Sequence, residues 1–299
     1  MNLVELINNL NFNILFPLFI GFKLLLETYL KQRNIQSMEK NKETIPERFI
    51  GVVTEEEYKK SINYNTERIR FSMFTATISV GVLLLFTSGG LLNSLTKIVQ
   101  DITQSNVLGI ILLGLFIVLI DEIVGIPLAV YSTFTLEEKY GFNKTTAKTF
   151  IQDLIKNLII SVVFASTLYA VVISIIERLG DNWWIYAFVA VFLFQAIVFY
   201  LYPVLILPLL NKLEPITDEK FKEPIEKLLN KINFKAKGLF VMDGSLRSSH
   251  GNAFFTGFGN NKRIVFYDTL LETITPKEME SILGHELGHY KLGHIRRTL

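Results

Sequence analysis

Cysteine is absent from this chain of 299 residues, and histidine occurs only four times. The first absence excludes disulfides and thiolate metal ligands and leaves the redox compartment open. Charge is scarce too: 19% of residues are charged against 50% apolar, and the two signs nearly cancel at a net +2. So small a net charge makes no electrostatic case for a nucleic-acid partner. What abounds is phenylalanine, 24 residues of it, within long apolar runs. That composition is too apolar for an ordinary soluble domain and marks a membrane protein, with the lipid bilayer as its first partner.

Five apolar stretches reach the length needed to cross a bilayer, near Phe12 to Leu30, Phe71 to Leu92, Val107 to Phe134, Leu158 to Ile176 and Trp183 to Leu210. A span takes about 20 such residues. The first contains Pro17 and Lys23 but has neither a basic leader region nor a small-residue cleavage site, so it reads as a span. Pro203 and Pro208 predict a kink near the end of the fifth. Asp121 and Glu122 interrupt the third, at roughly 2.5–3.5 kcal/mol per acidic group at mid-bilayer. Either they line an aqueous cavity, or the stretch is two short helices whose junction is wet; the plainer alternative is a boundary where a shorter span ends.

Lysine and arginine are distributed unevenly between these stretches. The segment Lys31 to Arg70 holds nine, Leu95 to Asn106 one, Glu137 to Asn157 four, Ile176 to Asn182 one, and everything from Asn211 onward fourteen. This alternation of rich and poor segments is the positive-inside pattern of five spans, with the amino terminus outside and the C-terminal part in the cytoplasm.

After Asn211 the composition becomes more polar. Leu213 to Phe234 reads as one amphipathic helix carrying Ile225, Leu228, Leu229 and Ile232. Two short strands follow, Gly238 to Met242 and Arg263 to Tyr267. Between them, Ser249 to Phe258 is extended and flanked by glycines, a segment able to offer an open edge to an incoming peptide, or an ordinary hairpin tip. The expected fold is mainly α: a polytopic membrane region over residues 1–210, then a small α/β element over 211–299. That element reads as incomplete, and the chain as truncated.

The chemistry is concentrated near the end, in Leu283-Gly284-His285-Glu286-Leu287-Gly288-His289. On an α-helix, histidines four apart lie about 40° apart around the axis and roughly 6 Å along it, so both imidazoles reach one metal. Glu286, next to the first ligand, is placed to serve as general base toward water in an open coordination position. Thr275-Pro276-Lys277-Glu278 supplies a start signal for that helix, with a hydroxyl cap, proline at the first position and glutamate three residues on. Gly284 and Gly288 cost the helix roughly 1 kcal/mol each and suggest close backbone approach beside the ligands. The bland alternative is a pair of solvated helix histidines. His294, about 140° around from His289, points away from the ligand face.

Several strings of this sequence together resemble the type-I CAAX prenyl endopeptidases. They are Val241-Met242-Asp243-Gly244-Ser245, Arg247-Ser248-Ser249-His250-Gly251-Asn252-Ala253, Thr256-Gly257-Phe258-Gly259, and His285 through His294. Upstream, Pro127 to Tyr131, Glu137-Glu138 and Gly141-Phe142-Asn143-Lys144-Thr145 are similar to that family's membrane region. The resemblance implies a helical enclosure around a water-filled chamber, one zinc ion, His285 and His289 as metal ligands, and Glu286 as the base. It places Asn252 and Ala253 on the strand that pairs with substrate, with His250 on the substrate side or supporting the site. A third ligand is expected from a downstream glutamate that this sequence does not contain, so the 299-residue chain alone is expected to be inactive. The substrate implied is a prenylated C-terminal tail. In a bacterium, which the Lys/Asn/Ile-rich usage suggests, it would be a membrane-associated protein. The location follows: the bacterial inner membrane, or the endoplasmic reticulum if the source is eukaryotic.

Two other readings compete. A non-enzymatic membrane scaffold or pore would carry the motif as a vestige. A peptidase cutting within the membrane plane would bury the motif in an apolar span, yet Lys277, Glu278, Glu280, Lys291, Arg296 and Arg297 flank it here.

Overall fold

The computed structural model describes residues 12–231, 234, 238–256 and 262–292. The chain divides into two compact units, Met1–Tyr140 and Gly141–Leu299.

The first unit is helical: α1 (Phe12–Lys40), α2 (Glu55–Thr87), α3 (Leu91–Ile102) and α4 (Asn106–Tyr131). Helix α2 begins well before its apolar part because Thr54 and Glu57 form a reciprocal cap. The Glu57 amide donates to Thr54 Oγ1 at 3.2 Å, and the Thr54 amide donates to the Glu57 carboxylate at 2.9 Å. Helix α3 buries Leu95 and Val99. Gly109 lets α4 approach there, since a Cβ at that position would stand 3.3 Å from Val99 Cγ1. Past Tyr131 the helix widens into a π-helical stretch, Ser132–Glu137, before a last turn at Glu138–Tyr140. The Tyr64 hydroxyl donates to Glu137 at 2.7 Å and Lys139 pairs with Glu67, so the end of α4 is tied to α2. Asp121 is exposed and Glu122 half-buried.

In the second unit, α5 (Ala147–Leu179) and α6 (Trp183–Leu201) are joined at Gly180, whose φ of +54° lies where glycine is favoured. A π-helical turn, Tyr202–Ile206, follows α6 at Pro203, which has no amide hydrogen to continue an α-helical ladder. One more turn, Leu207–Leu210, ends the apolar region. Among the described residues, three stretches are long and apolar enough to cross a membrane: Glu55–Thr87, Asn106–Tyr140 and Ala147–Leu210. The last of these contains both α5 and α6.

The remainder of the second unit forms β1 (Leu213–Pro215), α7 (Glu219–Lys231), β2 (Gly238–Met242), β3 (Ala253–Thr256), β4 (Arg263–Tyr267), α8 (Asp268–Thr273) and α9 (Pro276–Lys291). The expectation of one helix from Leu213 to Phe234 is therefore corrected. Leu213 to Pro215 pair antiparallel with β2, and the helix starts only at Glu219. The reason is burial: as a strand residue, Leu213 reaches the cluster of Leu207, Met242 and Val265.

The sheet order is β1-β2-β4-β3, with β2 and β4 parallel and both outer pairs antiparallel. Strand alternation gives it two apolar faces. Leu239, Ile264 and Phe266 face α7 and α9 together with Ile225, Met279 and Leu283; Phe240, Met242 and Val265 face the end of the apolar helices at Leu207. Ile225, Val265, Phe266 and Met279 are fully inaccessible to solvent, so the core is centred where α7 and α9 cross the sheet.

Candidate active site

Helix α9 carries the His285–His289 motif, and its cap is built as the sequence predicts. The Thr275 amide and hydroxyl both donate to the Glu278 carboxylate at 2.8 Å, and the Glu278 amide donates back to Thr275 Oγ1 at 3.3 Å. The Thr275 backbone amide, and after it the hydroxyl, hold the Glu278 carboxyl below its ordinary pKa.

Met279, Leu283 and Leu287 form the stripe by which α9 is buried. At about 100° per residue, positions 285 and 289 fall on the opposite side of the helix. His285 is exposed there. The side chains of Glu286 and His289, and the whole of His294, lie outside the described residues. Among the described residues, no group of three or more His, Cys, Asp or Glu is assembled. The helix is nonetheless continuous from Pro276 to Lys291, which keeps the two histidine positions one turn apart. As a donor set, two imidazoles in that register fit two positions of a tetrahedral zinc centre.

The glycines flanking these positions depart from expectation. A Cβ added at Gly284 or Gly288 would meet nothing within 4 Å, so no described residue makes the close approach predicted for them. Among the described residues, nothing occupies the space that a Cβ would take at either glycine.

Strand β3 is an outer strand, its inner side paired residue by residue with β4 from Ala253↔Phe266 to Thr256↔Arg263. Ala253 and Phe255 pack against the same core as α9, which sets the outer strand beside the motif helix. Asn252 leads into it: its side-chain oxygen accepts the Ala253 amide, and its carbonyl the Tyr267 amide, both at 2.9 Å. His250 is exposed and stacks on Phe142 with ring centroids 4.2 Å apart, while its carbonyl accepts the Thr269 hydroxyl at 2.9 Å.

Sequence reasoning missed what holds this lead-in segment. Residues 142–145 run alongside 247–249: the Lys144 amide and Thr145 hydroxyl donate to the Arg247 carbonyl at 3.1 and 3.0 Å, and the Ser249 amide donates to the Phe142 carbonyl at 3.0 Å. The Arg247 side chain makes a two-pronged pair with Asp153 at 2.7 and 2.9 Å, and this pairing raises its already high pKa. Both partner strings belong to the resemblance noted above, but nothing in either one signals that they touch.

Comparison with known proteins gives a consistent result. Residues 34–212 match the family model described as CAAX prenyl protease N-terminal, five membrane helices, and residues 215–299 match peptidase family M48. The chain is 35% identical over 290 residues to a CAAX prenyl protease 1 homolog of Arabidopsis thaliana, covering 92% of this chain and 67% of that protein. It is 36% identical over 286 residues to a probable CAAX prenyl protease 1 of Schizosaccharomyces pombe, covering 90% and 59%. Against CAAX prenyl protease 1 of Saccharomyces cerevisiae, identity is 32% over 281 residues, covering 90% and 61%. The chain thus spans about two thirds of these relatives' length or less. The crystal structure of S. mikatae Ste24p superposes with a TM-score of 0.85 at 30% identity, covering 97% of this chain and 69% of that one.

Proposed function

This chain belongs to the CAAX prenyl proteases of peptidase family M48, integral membrane metallopeptidases, and from that premise we propose that it acts as a zinc-dependent endopeptidase. The observation that supports the reading is the register of α9: its core stripe packs against the sheet, and the unbroken helix from Pro276 to Lys291 keeps positions 285 and 289 one turn apart on the side away from that core. A scaffold with a vestigial motif is not favoured, because the match extends through both family models and across the motif.

In this reading His285 and His289 hold the metal. When bound, zinc supplies Lewis acidity toward a scissile carbonyl and toward water. Glu286 takes a proton from the attacking water and returns it to the leaving amine, so cleavage proceeds without a covalent intermediate. Asn252 and Ala253 open the strand that holds the substrate backbone by strand addition, and His250 stands at its approach. The substrate class is a protein or peptide with a prenylated C-terminal tail, as the relatives' name denotes. Residues 1–210 serve as the membrane region and 211–299 as the peptidase element. The excess of lysine and arginine after Asn211 supports a cytoplasmic position for that element.

The test is made in the full-length protein. His285→Ala and His289→Ala are each expected to lose zinc and peptide cleavage together, since both imidazoles are needed for affinity. Stoichiometric zinc in both variants would remove the ligand assignment.

A further inference from the structure

Two arginines from the sheet region reach the broken end of the last apolar helix. Arg263 Nη1, on β4, donates to the Pro203 carbonyl at 2.8 Å, inside the π-helical turn, and Arg247 Nη2 donates to the Leu210 carbonyl at 2.9 Å, in the final turn. Carbonyls at a helix C-terminus or freed by irregular winding have no partner within the helix, and cations are favoured beside them. Arg247 does more than cap. Its guanidinium forks onto both oxygens of Asp153, on α5, with pair members 28% and 23% exposed. Its own carbonyl accepts from Lys144 and Thr145.

From Arg247 the chain runs through Ser248, bridged to Asn143, and His250, stacked on Phe142, into Asn252 and the start of β3. The segment is thus held on one side by 141–153 and on the other by Thr269 and Tyr267. An outer strand gains substrate only if its unpaired amides and carbonyls stand in one fixed register, and a loose lead-in forfeits that preorganisation.

We propose that Arg247 is a positioning residue for substrate: through its fork on Asp153 and its bond to Leu210 it fixes the lead-in to β3, and so the pose of the edge that takes the substrate backbone. This rests on the reading of β3 as the substrate strand. A lysine at 247 keeps the charge but cannot reproduce two parallel bonds to one carboxylate.

The experiment uses the full-length protein and two peptides, one of natural backbone and one with a single amide replaced by an ester at the position opposite β3. In the wild type the ester is expected to raise KM about tenfold, as loss of one strand-addition hydrogen bond does. Arg247→Lys, and independently Asp153→Asn, are expected to raise KM for the natural peptide about tenfold with kcat within about twofold. In both variants the ester should then add less than about threefold, because the edge is already displaced. A fully additive ester effect, or a fall in kcat at unchanged KM with a lowered melting temperature, would overturn the proposal and leave Arg247 as a stability element only. Asp153→Asn, nearly the same shape as the native side chain, keeps the test valid if the lysine variant folds poorly. Glu286→Gln is run in parallel: if it still cleaves, the catalytic reading fails by itself, whereas an inactive Glu286→Gln with additive ester effects removes only the role of Arg247.

Discussion

Phe142 and His250 stack with their ring planes 28° apart and centroids at 4.2 Å, joining the loop before α5 to the lead-in of the outer strand. The contact spans two short strings more than a hundred positions apart in the chain, and it lies one residue beyond the backbone pairing of Ser249 with Phe142.

Phe142→Leu keeps apolar volume and removes the stack. The expected loss is about 0.5–1.5 kcal/mol, the range for paired aromatic rings beyond their burial. Thermal melting measures it, and hydrogen exchange should rise at the amides of Ser249 and His250. Unchanged protection at those two amides would show that the stack does not hold the segment.

For Glu286→Gln, zinc is expected to stay while peptide cleavage falls by at least about a hundredfold, since the amide neither accepts nor returns a proton. Metal content and initial rates on the same sample decide this. Near-normal turnover would show that Glu286 is not the base.

The cap of α9 gives a stability test with a defined pH sense. Thr275→Ala removes the hydroxyl that accepts from the Glu278 amide, at a cost of about 1 kcal/mol. Glu278 is held below its ordinary pKa by the Thr275 amide and hydroxyl, so its contribution is present above the unfolded value of 4.5 and is lost as pH falls through the folded value. Melting temperatures of the wild type and Glu278→Gln should differ at about pH 6 and draw together as pH falls below the folded value. Curves separated by the same amount throughout would mean that the carboxylate charge plays no part.

The motif helix, both inner strands and the extended run between them were legible in the sequence because each carries a local signal: Thr275 and Glu278 for the cap, and short β-branched or aromatic runs at Leu239–Met242 and Ile264–Tyr267. Long apolar runs likewise marked α2, α4, α5 and α6. The start of α2 at Glu55 was missed because its first turns are polar, and only the Thr54–Glu57 cap announces them. Leu213 was assigned to a helix because one leucine fits either period; its strand pairing with Met242 is decided by packing across the sheet. The Arg247–Asp153 pair left no trace, since ion pairs between segments 94 residues apart have no periodicity to reveal them.

Topology is tested through the loops. Cysteines placed singly at Lys42 and Lys144 of this cysteine-free chain are expected to react with an impermeant reagent only from the cytoplasmic side, and one at Lys97 only from the opposite side. Labelling of positions 97 and 144 from the same side would break the arrangement of five spans.

Gly284 distinguishes room for a ligand from room left by chance. A Cβ there meets no described atom, and glycine within a helix is less stable than alanine by about 0.5–1 kcal/mol. Gly284→Ala is therefore expected to stabilise the 299-residue chain by that amount in thermal or denaturant unfolding. In a cleavage assay the same substitution separates two uses of the space beside His285. If nothing approaches the helix there, stability rises and cleavage is unchanged. If a substrate backbone or another segment of the protein occupies that space, the added methyl is expected to raise KM or weaken zinc binding although the helix itself is improved. A lower melting temperature would show that a methyl at position 284 is not accommodated beside the helix.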